Sequence, residues 1–399
     1  MHNIRQTRAE IDLDSLNHNF TIVRRLIGER CKILGVVKAN AYGHGAIEVA
    51  KELVSAKVDM LGVAIVEEAI ELRKAGINIP ILILAGLLES QIEDIVDYNL
   101  TQTIYTSSLA VALSNWAVKK GRQVTVHLKV DTGMSRVGVS PEDVLSFVRE
   151  INKLPNLRIE GIFTHLSVAD DPNQDNKNFT IDQINTFRKI ISLLEEHNFY
   201  IPLKHAANSA AIIGYPESYF DMVRPGIMLY GANPSLNFSQ DISLKPVMSL
   251  KTKIVYLKTV SADKSISYGR TFRTKRESKI ATILIGYDDG YSRLLSNKVE
   301  VLINGEKAPV VGTICMDMCM TDVTEIEKVD IEDDVILFGQ DDNNKGLLIT
   351  VDELAKKLNT VSYEILCCIG RRVPRIYKKS GKVVSVVDYL MNDYHCLKD

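Results

Sequence analysis

Eight short apolar runs alternate with helix-like segments through the first part of the chain, and this alternation limits the possible folds more than any other feature. We predict strands at 32–38, 58–65, 79–85, 101–106, 123–131, 157–165, 203–208 and 221–230. Helices are predicted between them at 44–56, 67–75, 107–120, 141–153 and 177–198. The runs are continuously apolar, which is typical of parallel strands covered on both faces. The pattern predicts an α/β fold with a TIM-type (β/α)8 barrel. A doubly wound open sheet remains the alternative, because periodicity does not give strand order.

The pattern changes after residue 235. From Ser243 to about Tyr377 the apolar segments are short, rich in β-branched residues and alternating, and turn signals such as Asn304-Gly305 separate them. A short helix is predicted near 351–358, with Thr350 as its cap. We therefore predict two domains, a barrel at 1–238 and a mostly-β domain at 239–399.

Composition narrows the class of protein. The formal net charge is −2, so no large basic field is present to bind nucleic acid or an anionic membrane. No apolar run reaches the ~20 residues of a membrane span, and residues 1–14 lack the apolar core of a secretory signal. The six cysteines are scattered and have no histidine cluster beside them. We expect a cytoplasmic protein with free thiols and no metal site.

The stretch VVKANAYGHG, residues 36–45, carries the first chemical signal. It places Lys38 at the end of a predicted strand, directly before a segment of small residues. A desolvated lysine loses its proton readily and can form a Schiff base. Tyr42, Gly43 and Gly45 would let a phenol and backbone approach a ligand closely. For an arbitrary lysine, an ordinary surface position is the more common explanation.

Other predicted strands also end in polar residues, at the edge where barrels carry their active sites. These residues are Lys129, Asp131, Arg136, His165, Asn208, Ser209 and Arg224. His165 alone could be a satisfied buried histidine, and Arg224 alone an ordinary ion-pair partner. Ser209, Gly226 and Ile227 follow strands seven and eight, where barrels often bind phosphate. A lysine beside a phosphate site suggests pyridoxal phosphate (PLP), although a barrel aldolase would use the same two parts.

Motifs along nearly the whole chain resemble those of bacterial alanine racemases, PLP enzymes with an N-terminal barrel and a C-terminal β domain. The matching motifs are RAEIDLDSLNHN (8–19), VVKANAYGHG (36–45), LKVDTGMSRVG (128–138), THLSVAD (164–170), HAANSAA (205–211), VRPGIMLYG (223–231), SYGRTF (267–272), IGYDDGY (285–291) and CMDM (315–318). The resemblance implies racemisation of L- and D-alanine, which supplies D-alanine for peptidoglycan. It also implies a homodimer with shared active sites.

The resemblance assigns roles to individual residues. Lys38 would be the Schiff-base lysine and one catalytic base, and Tyr268 of the partner subunit would be the other. Lys129 would correspond to a lysine that is often carbamylated, and it would then orient Arg136. Met316 and Asp317 of the partner subunit, together with Arg136, would bind substrate. The residues implied to bind the cofactor are Lys38, Tyr42, Arg136, His165, Asn208, Ser209, Arg224, Gly226, Ile227 and Tyr363.

The implied reaction explains these residue types. Two bases on opposite faces move the α-proton without reorienting the substrate, and His165 would assist through a hydrogen bond to Arg224 or Tyr268. The resemblance puts Arg224 against the pyridine nitrogen, where a permanent cation keeps that nitrogen unprotonated and disfavours decarboxylation.

Some of the chain's features leave other readings open. Arg270, Asp288 and Thr313 depart from the family pattern and could alter the substrate entrance. A serine or broad-specificity racemase remains an alternative. A PLP-carrying regulatory protein is a further one, although such proteins consist of the barrel alone.

Overall fold

The computed structural model describes residues 4–234, 242–340 and 346–391, and the backbone alone of 393–396. The predicted domain boundary at 238/239 lies outside the described residues. Strand β1, Arg8–Asp12, comes first in the chain and belongs to a large β sheet described below.

The next eight strands form one parallel sheet. They are β2 Lys32–Val36, β3 Met60–Val63, β4 Ile81–Ile83, β5 Thr101–Ile104, β6 Val124–Lys129, β7 Leu157–Phe163, β8 Leu203–His205 and β9 Met222–Val223. Neighbours along the chain pair from β2 to β8, and β9 returns to pair with β2. The backbone N–H of Asp221 donates to the carbonyl of Lys204 at 3.0 Å, which brings β9 beside β8. The predicted barrel is confirmed, and this strand order excludes the doubly wound sheet.

Helices alternate with these strands. They are α1 Leu13–Ile27, α2 Lys38–Tyr42, α3 Ala46–Ser55, α4 Val66–Lys74, α5 Ile92–Asp97, α6 Ser107–Lys120, α7 Val144–Ile151, α8 Gln174–Glu196 and α9 Ser209–Gly214. The strands are shorter than predicted, because one or both ends of each run leave the sheet. The run 221–230 shows this most clearly, since Ile227–Tyr230 is a 3-10 helix and Pro225 has no N–H for a ladder.

The remaining strands form the mostly-β part. They are β10 Met248–Val260, β11 Ser265–Ile266, β12 Phe272–Arg273, β13 Ser278–Ile283, β14 Glu300–Ile303, β15 Glu306–Pro309, β16 Cys319–Asp322, β17 Asp334–Gln340, β18 Leu348–Ile349, β19 Arg375–Lys379, β20 Lys382–Asp388 and β21 Asp393–Cys396. All except β11 and β12 join an 11-stranded sheet, in which β1 lies between β10 and β19. The N-terminal strand therefore ties the start of the chain to this sheet.

Two short helices, α10 Val351–Leu358 and α11 Ser362–Cys367, precede β19. Thr350 caps α10 as predicted, with its hydroxyl accepting from the N–H of Glu353 while the Glu353 carboxylate accepts from the N–H of Thr350. Within the described ranges, no helix has both the length and the apolar character that a membrane span needs.

Candidate active site

The turn after β2 carries Lys38. Four successive residues, 39–42, have φ values of 52° to 53°, so the α2 segment is largely a left-handed turn. Each such residue costs roughly 1–2 kcal/mol when it is not glycine. The turn is closed by backbone bonds from Ala41 to Val37 and from Gly43 to Ala39, at 2.9 and 3.0 Å. Strain of this kind persists only where surrounding contacts over-determine the backbone, and it is concentrated at functional sites.

A cavity of about 430 Å³ opens at the carboxyl ends of the barrel strands. Its volume suits a cofactor-sized ligand. All ten residues predicted to bind the cofactor line it together with Lys129: Lys38, Tyr42, Arg136, His165, Asn208, Ser209, Arg224, Gly226, Ile227 and Tyr363. Val36, Ala64, Leu84, Ala85, Gly86, Val137 and Phe163 complete the lining. The barrel topology therefore brings together residues almost 330 positions apart in sequence.

Two lysines in this cavity have depressed pKa values. Burial lowers the pKa of Lys38 below its usual 10.5, and the positive charge of Arg136 lowers it further. Lys129 is more deeply buried, and desolvation together with Arg224 and Arg136 holds its pKa well below the usual value. The Lys129 ammonium lies 4.9 Å from the centre of the Phe163 ring. Both amines are thereby biased toward the neutral, nucleophilic form.

Arg224 lies at the centre of a buried hydrogen-bond network. Its side chain donates to the carbonyls of Thr164 and Ala206, both at 2.9 Å, and to Nδ1 of His205 at 3.0 Å. It also lies 3.3 Å from Nδ1 of His165. Because a guanidinium has no acceptor, both histidines must present an unprotonated Nδ1 to it. Burial and the charge of Arg224 lower the pKa of each histidine well below its usual value, which fits neutral rings.

The network continues away from the cavity. His205 Nε2 lies 2.9 Å from His127 Nδ1, and His127 Nε2 lies 3.4 Å from a carboxylate oxygen of Glu160. Gly161 leaves room for this arrangement, since a Cβ there would lie 2.5 Å from His127 Nδ1. With Arg224 donating, each ring has one fixed tautomer. Sequence reasoning missed His127, His205 and Glu160, because they lie inside predicted strands and form no motif among themselves.

The link between His165 and Arg224 confirms one of the two predicted partners of His165. No hydrogen bond joins His165 to Tyr268 within the described part of the chain. Burial lowers the pKa of Arg224 to about 9, which leaves the side chain a cation at neutral pH.

Tyr42, Ser209 and Gly226 form another part of the cavity lining. The Ser209 hydroxyl accepts from the N–H of Gly226 at 2.9 Å. A Cβ on Gly226 would lie 2.6 Å from the Tyr42 hydroxyl, so only glycine leaves this space open. Asn208 caps α9 through Ala211 and donates to the carbonyl of Leu166 at 3.1 Å. The ring centre of Tyr363, from α11, lies 5.8 Å from that of Tyr42. The result is a small polar concavity with hydroxyl and amide donors.

Asp131 shapes the loop that carries Arg136. Its carboxylate accepts from the N–H groups of Gly133 and Ser135 at 2.9 and 3.0 Å. Burial by itself would raise the pKa of Asp131, but these backbone hydrogen bonds outweigh it and lower that pKa. The Asp131 carboxylate is therefore used within the loop, and Arg136 is left exposed at the cavity mouth.

Three predicted site residues lie away from this cavity. Tyr268 is 70% exposed and Met316 is 50% exposed, and Asp317 pairs with Arg372 at 2.7 Å. Tyr268 lies on a strained turn in which Ser267, Gly269 and Arg270 all have positive φ. Within a single chain, none of these residues lines the cavity that contains Lys38.

The three departures from the family pattern have definite contacts. Arg270 donates to the Ser265 hydroxyl at 3.3 Å, and Asp288 pairs with Arg372. Thr313 is buried, and its hydroxyl donates to the carbonyl of Tyr268 at 2.8 Å. Thr313 therefore supports the turn that carries Tyr268.

The interpretation of Gly43 and Gly45 as ligand-facing was wrong. Neither residue lines the cavity. A Cβ on Gly43 would lie 2.2 Å from the carbonyl oxygen of Leu366, and one on Gly45 would lie 1.8 Å from the Tyr377 hydroxyl. These glycines make room for the C-terminal part of the chain and not for a ligand. The spacing of residues in the sequence does not reveal this contact.

Comparison with known proteins identifies the family. Residues 11–234 match the alanine racemase N-terminal domain, and residues 247–377 match the alanine racemase C-terminal domain. The chain is 48% identical over 388 residues to alanine racemase 2 of Caldanaerobacter subterraneus subsp. tengcongensis, covering 97% of this chain and 98% of that one. It is also 48% identical over 374 residues to the alanine racemase of Halothermothrix orenii, covering 94% and 97% of the two chains.

Solved structures agree with this assignment. The alanine racemase of Clostridium difficile 630 superposes with a TM-score of 0.91 at 41% identity, covering 97% of this chain and all of that one. That of Bacillus anthracis with bound L-Ala-P gives 0.88 at 34% identity, covering 98% of this chain and all of that one. Sequence, fold and cavity together show that this chain belongs to the alanine racemase family of isomerases.

Proposed function

We propose that this racemase uses PLP and moves the α-proton of alanine with two bases, Lys38 of one protomer and Tyr268 of the partner subunit. The observation that carries the proposal is the position of Lys38, whose partly desolvated amine shares a cavity with the buried Arg224 cation. When bound, PLP supplies an aldehyde for a lysine amine and a ring that withdraws electrons from the substrate's α-carbon.

The residues present fit the cofactor. The concavity left open by Gly226 would hold the phosphate, lined by Ser209, Gly226, Ile227, Tyr42 and Tyr363. Asn208 would fix the orientation of Ser209 through its cap on α9. Arg136 would face the phenolic oxygen from the cavity mouth.

Lys38 would hold and release the proton on one face of the substrate. An amine with an ordinary pKa is almost fully protonated at neutral pH and is a poor base. Burial and Arg136 lower the pKa of Lys38, and so increase the fraction that can accept a proton.

Arg224 would face the ring nitrogen and keep it unprotonated. Its hydrogen bonds to Thr164 and Ala206 fix the guanidinium, and the neutral His205 and His165 accept from it without neutralising its charge. A ring kept in this form is a weaker electron sink, which favours simple proton return over decarboxylation or transamination. His165 would act on the reaction through Arg224.

Tyr268 would reach the site only from a partner subunit. Its exposed ring belongs to the β-rich part, as does the exposed Met316. The Ser267 hydroxyl lies 3.5 Å from Cys315 Sγ, so the chain segments that carry Tyr268 and Met316 are neighbours. In a homodimer with shared sites, Tyr268, Met316 and Asp317 of the partner subunit would close the cavity beside the substrate carboxylate.

Lys129 would carry a carbamate. Its strongly lowered pKa favours the neutral amine that reacts with carbon dioxide. The resulting carboxylate would pair with Arg136, relieve the repulsion among Lys129, Arg136 and Arg224, and orient Arg136.

Racemisation of alanine would supply D-alanine for peptidoglycan in the cytoplasm. The cytoplasm is a reducing compartment, which suits the free thiols of the described cysteines.

The test is to measure D-alanine formation by the wild type and by Lys38→Ala, each dialysed and then supplied with PLP, with serine as a second substrate. We expect PLP-dependent conversion of alanine by the wild type. Lys38→Ala should lose both activity and the absorbance of lysine-bound PLP. Lysine-bound PLP that survives dialysis in Lys38→Ala would show that another lysine holds the cofactor. Faster turnover of serine would contradict the substrate assignment.

A further inference from the structure

Arg375, on strand β19, holds the end of the left-handed turn that carries Lys38. It is 1% exposed, and its Nε donates to the carbonyl of Gly43 at 3.0 Å. Its other donors reach the carbonyls of Gly370, Val373 and Ile369, all at 2.6 Å. Burial lowers the pKa of Arg375, and within the described residues the side chain forms no ion pair with a carboxylate. The guanidinium also lies 5.4 Å from the centre of the Tyr389 ring. A desolvated cation held by four carbonyls and one ring needs fixed geometry, so it in turn fixes the carbonyls it binds.

Tyr377, two residues further along β19, holds the next peptide of the turn. Its hydroxyl donates to the carbonyl of His44 at 3.0 Å. It occupies the space that a Cβ on Gly45 would need. A third contact comes from Tyr389, whose hydroxyl accepts from the Asn40 amide at 3.0 Å. The β-rich part of the chain therefore contacts three positions of the turn from outside the cavity.

We propose that Arg375 and Tyr377 are positioning residues for cofactor capture, because they hold the strained turn from which Lys38 and Tyr42 enter the cavity. The inference rests on the proposed function of Lys38. It follows that the C-terminal part has two roles. It stabilises the lysine turn of its own protomer, and it supplies Tyr268 to the partner's site.

The test compares Tyr377→Phe with Tyr291→Phe. Both substitutions remove one hydroxyl from a buried tyrosine of the β-rich part. Tyr291 is a matched control, because its buried hydroxyl has no hydrogen-bond partner among the described residues. Three quantities are measured on each apoenzyme: hydrogen exchange of peptides covering residues 37–46, the Kd for PLP, and Tm.

We expect Tyr377→Phe to speed exchange in the 37–46 segment and to weaken PLP binding about tenfold, the size expected for one lost hydrogen bond to a buried carbonyl. Tyr291→Phe should leave both quantities unchanged. Arg375→Lys removes several donors and should weaken PLP binding more, while PLP at saturation restores the absorbance of lysine-bound cofactor.

A lower Tm with unchanged PLP affinity and unchanged exchange at 37–46 would show that Tyr377 is merely structural and would overturn the inference. If Arg375→Lys does not fold, the Tyr377 pair decides the question alone. A wild-type apoenzyme that does not bind PLP at all would instead overturn the proposed function. The two failures are therefore distinguishable.

Discussion

At the scale of single residues, burial changes ordinary side chains into reactive ones. Lys38, Lys129 and Arg224 are three cations that converge on one cavity, and each has its pKa lowered by desolvation. Lysine gives up its proton more readily than arginine when both are desolvated. A cavity that holds arginine cations beside two lysines biased toward the neutral amine suits a reaction that transfers protons.

Arg224→Glu should slow racemisation and increase side transamination. A carboxylate would favour the protonated ring nitrogen, and the ring would then hold negative charge for longer. Single-turnover assays that separate D-alanine from pyridoxamine phosphate measure the partition. Arg224→Lys is the matched control, because it keeps the charge. An unchanged partition in Arg224→Glu would rule out the assigned role.

Tyr268→Ala should impair proton abstraction from one enantiomer of alanine far more than from the other, by about 10²-fold or more for a lost general base. Lys38 would still serve the opposite face. Exchange of α-deuterium into solvent, followed separately for each enantiomer, gives the two rates. Equal losses in both directions would reject the assignment of one base to each face.

At the scale of elements, the strained turn is the most unusual part of the fold. Polar residues at the ends of apolar runs predicted part of the cavity lining, including Lys38, His165 and Arg224, whereas Tyr363 was predicted from the family resemblance alone. The left-handed path of 39–42 was not predictable, since alanine and tyrosine carry no signal for positive φ. The residues that hold the turn lie on β19, more than 330 positions further along the chain. A sequence pattern does not reveal a contact between positions so far apart.

Gly45→Ala should destabilise the protein more than Gly28→Ala does. Both glycines have positive φ, 95° and 75°, so each substitution costs about 1–3 kcal/mol in backbone strain. Only Gly45 is also crowded, with the Tyr377 hydroxyl 1.8 Å from the new Cβ, while nothing lies within 4 Å at Gly28. Overlap should add about 1–3 kcal/mol. Urea denaturation measures the difference.

Combining Gly45→Ala with Tyr377→Phe should recover part of that loss, because the hydroxyl is the closest atom to the new Cβ. Strictly additive free energies would show that the clash is absorbed elsewhere. Equal destabilisation by Gly45→Ala and Gly28→Ala would show that Tyr377 makes no tight steric contact with the turn.

At the scale of the whole molecule, the barrel and the β-rich part are interdependent. The barrel was predictable from the spacing of its apolar runs, and the β-rich part from its alternating strands. The position of β1 inside the large β sheet was not, because its five residues, RAEID, form no apolar run and carry no signal for the strands they pair with. Tyr268 and Met316 are exposed and do not line the cavity of their own chain. A second protomer is the proposed completion.

Mixing two inactive variants tests the shared site most directly. Lys38→Ala and Tyr268→Ala homodimers are dissociated, mixed in equal amounts and re-formed with PLP. In a mixed dimer, Lys38 from one protomer meets Tyr268 of the partner subunit in one intact site. About half of randomly re-formed dimers are mixed, so D-alanine formation should return to about one quarter of the wild-type rate. A mixture no more active than its parents would contradict a site built from two chains.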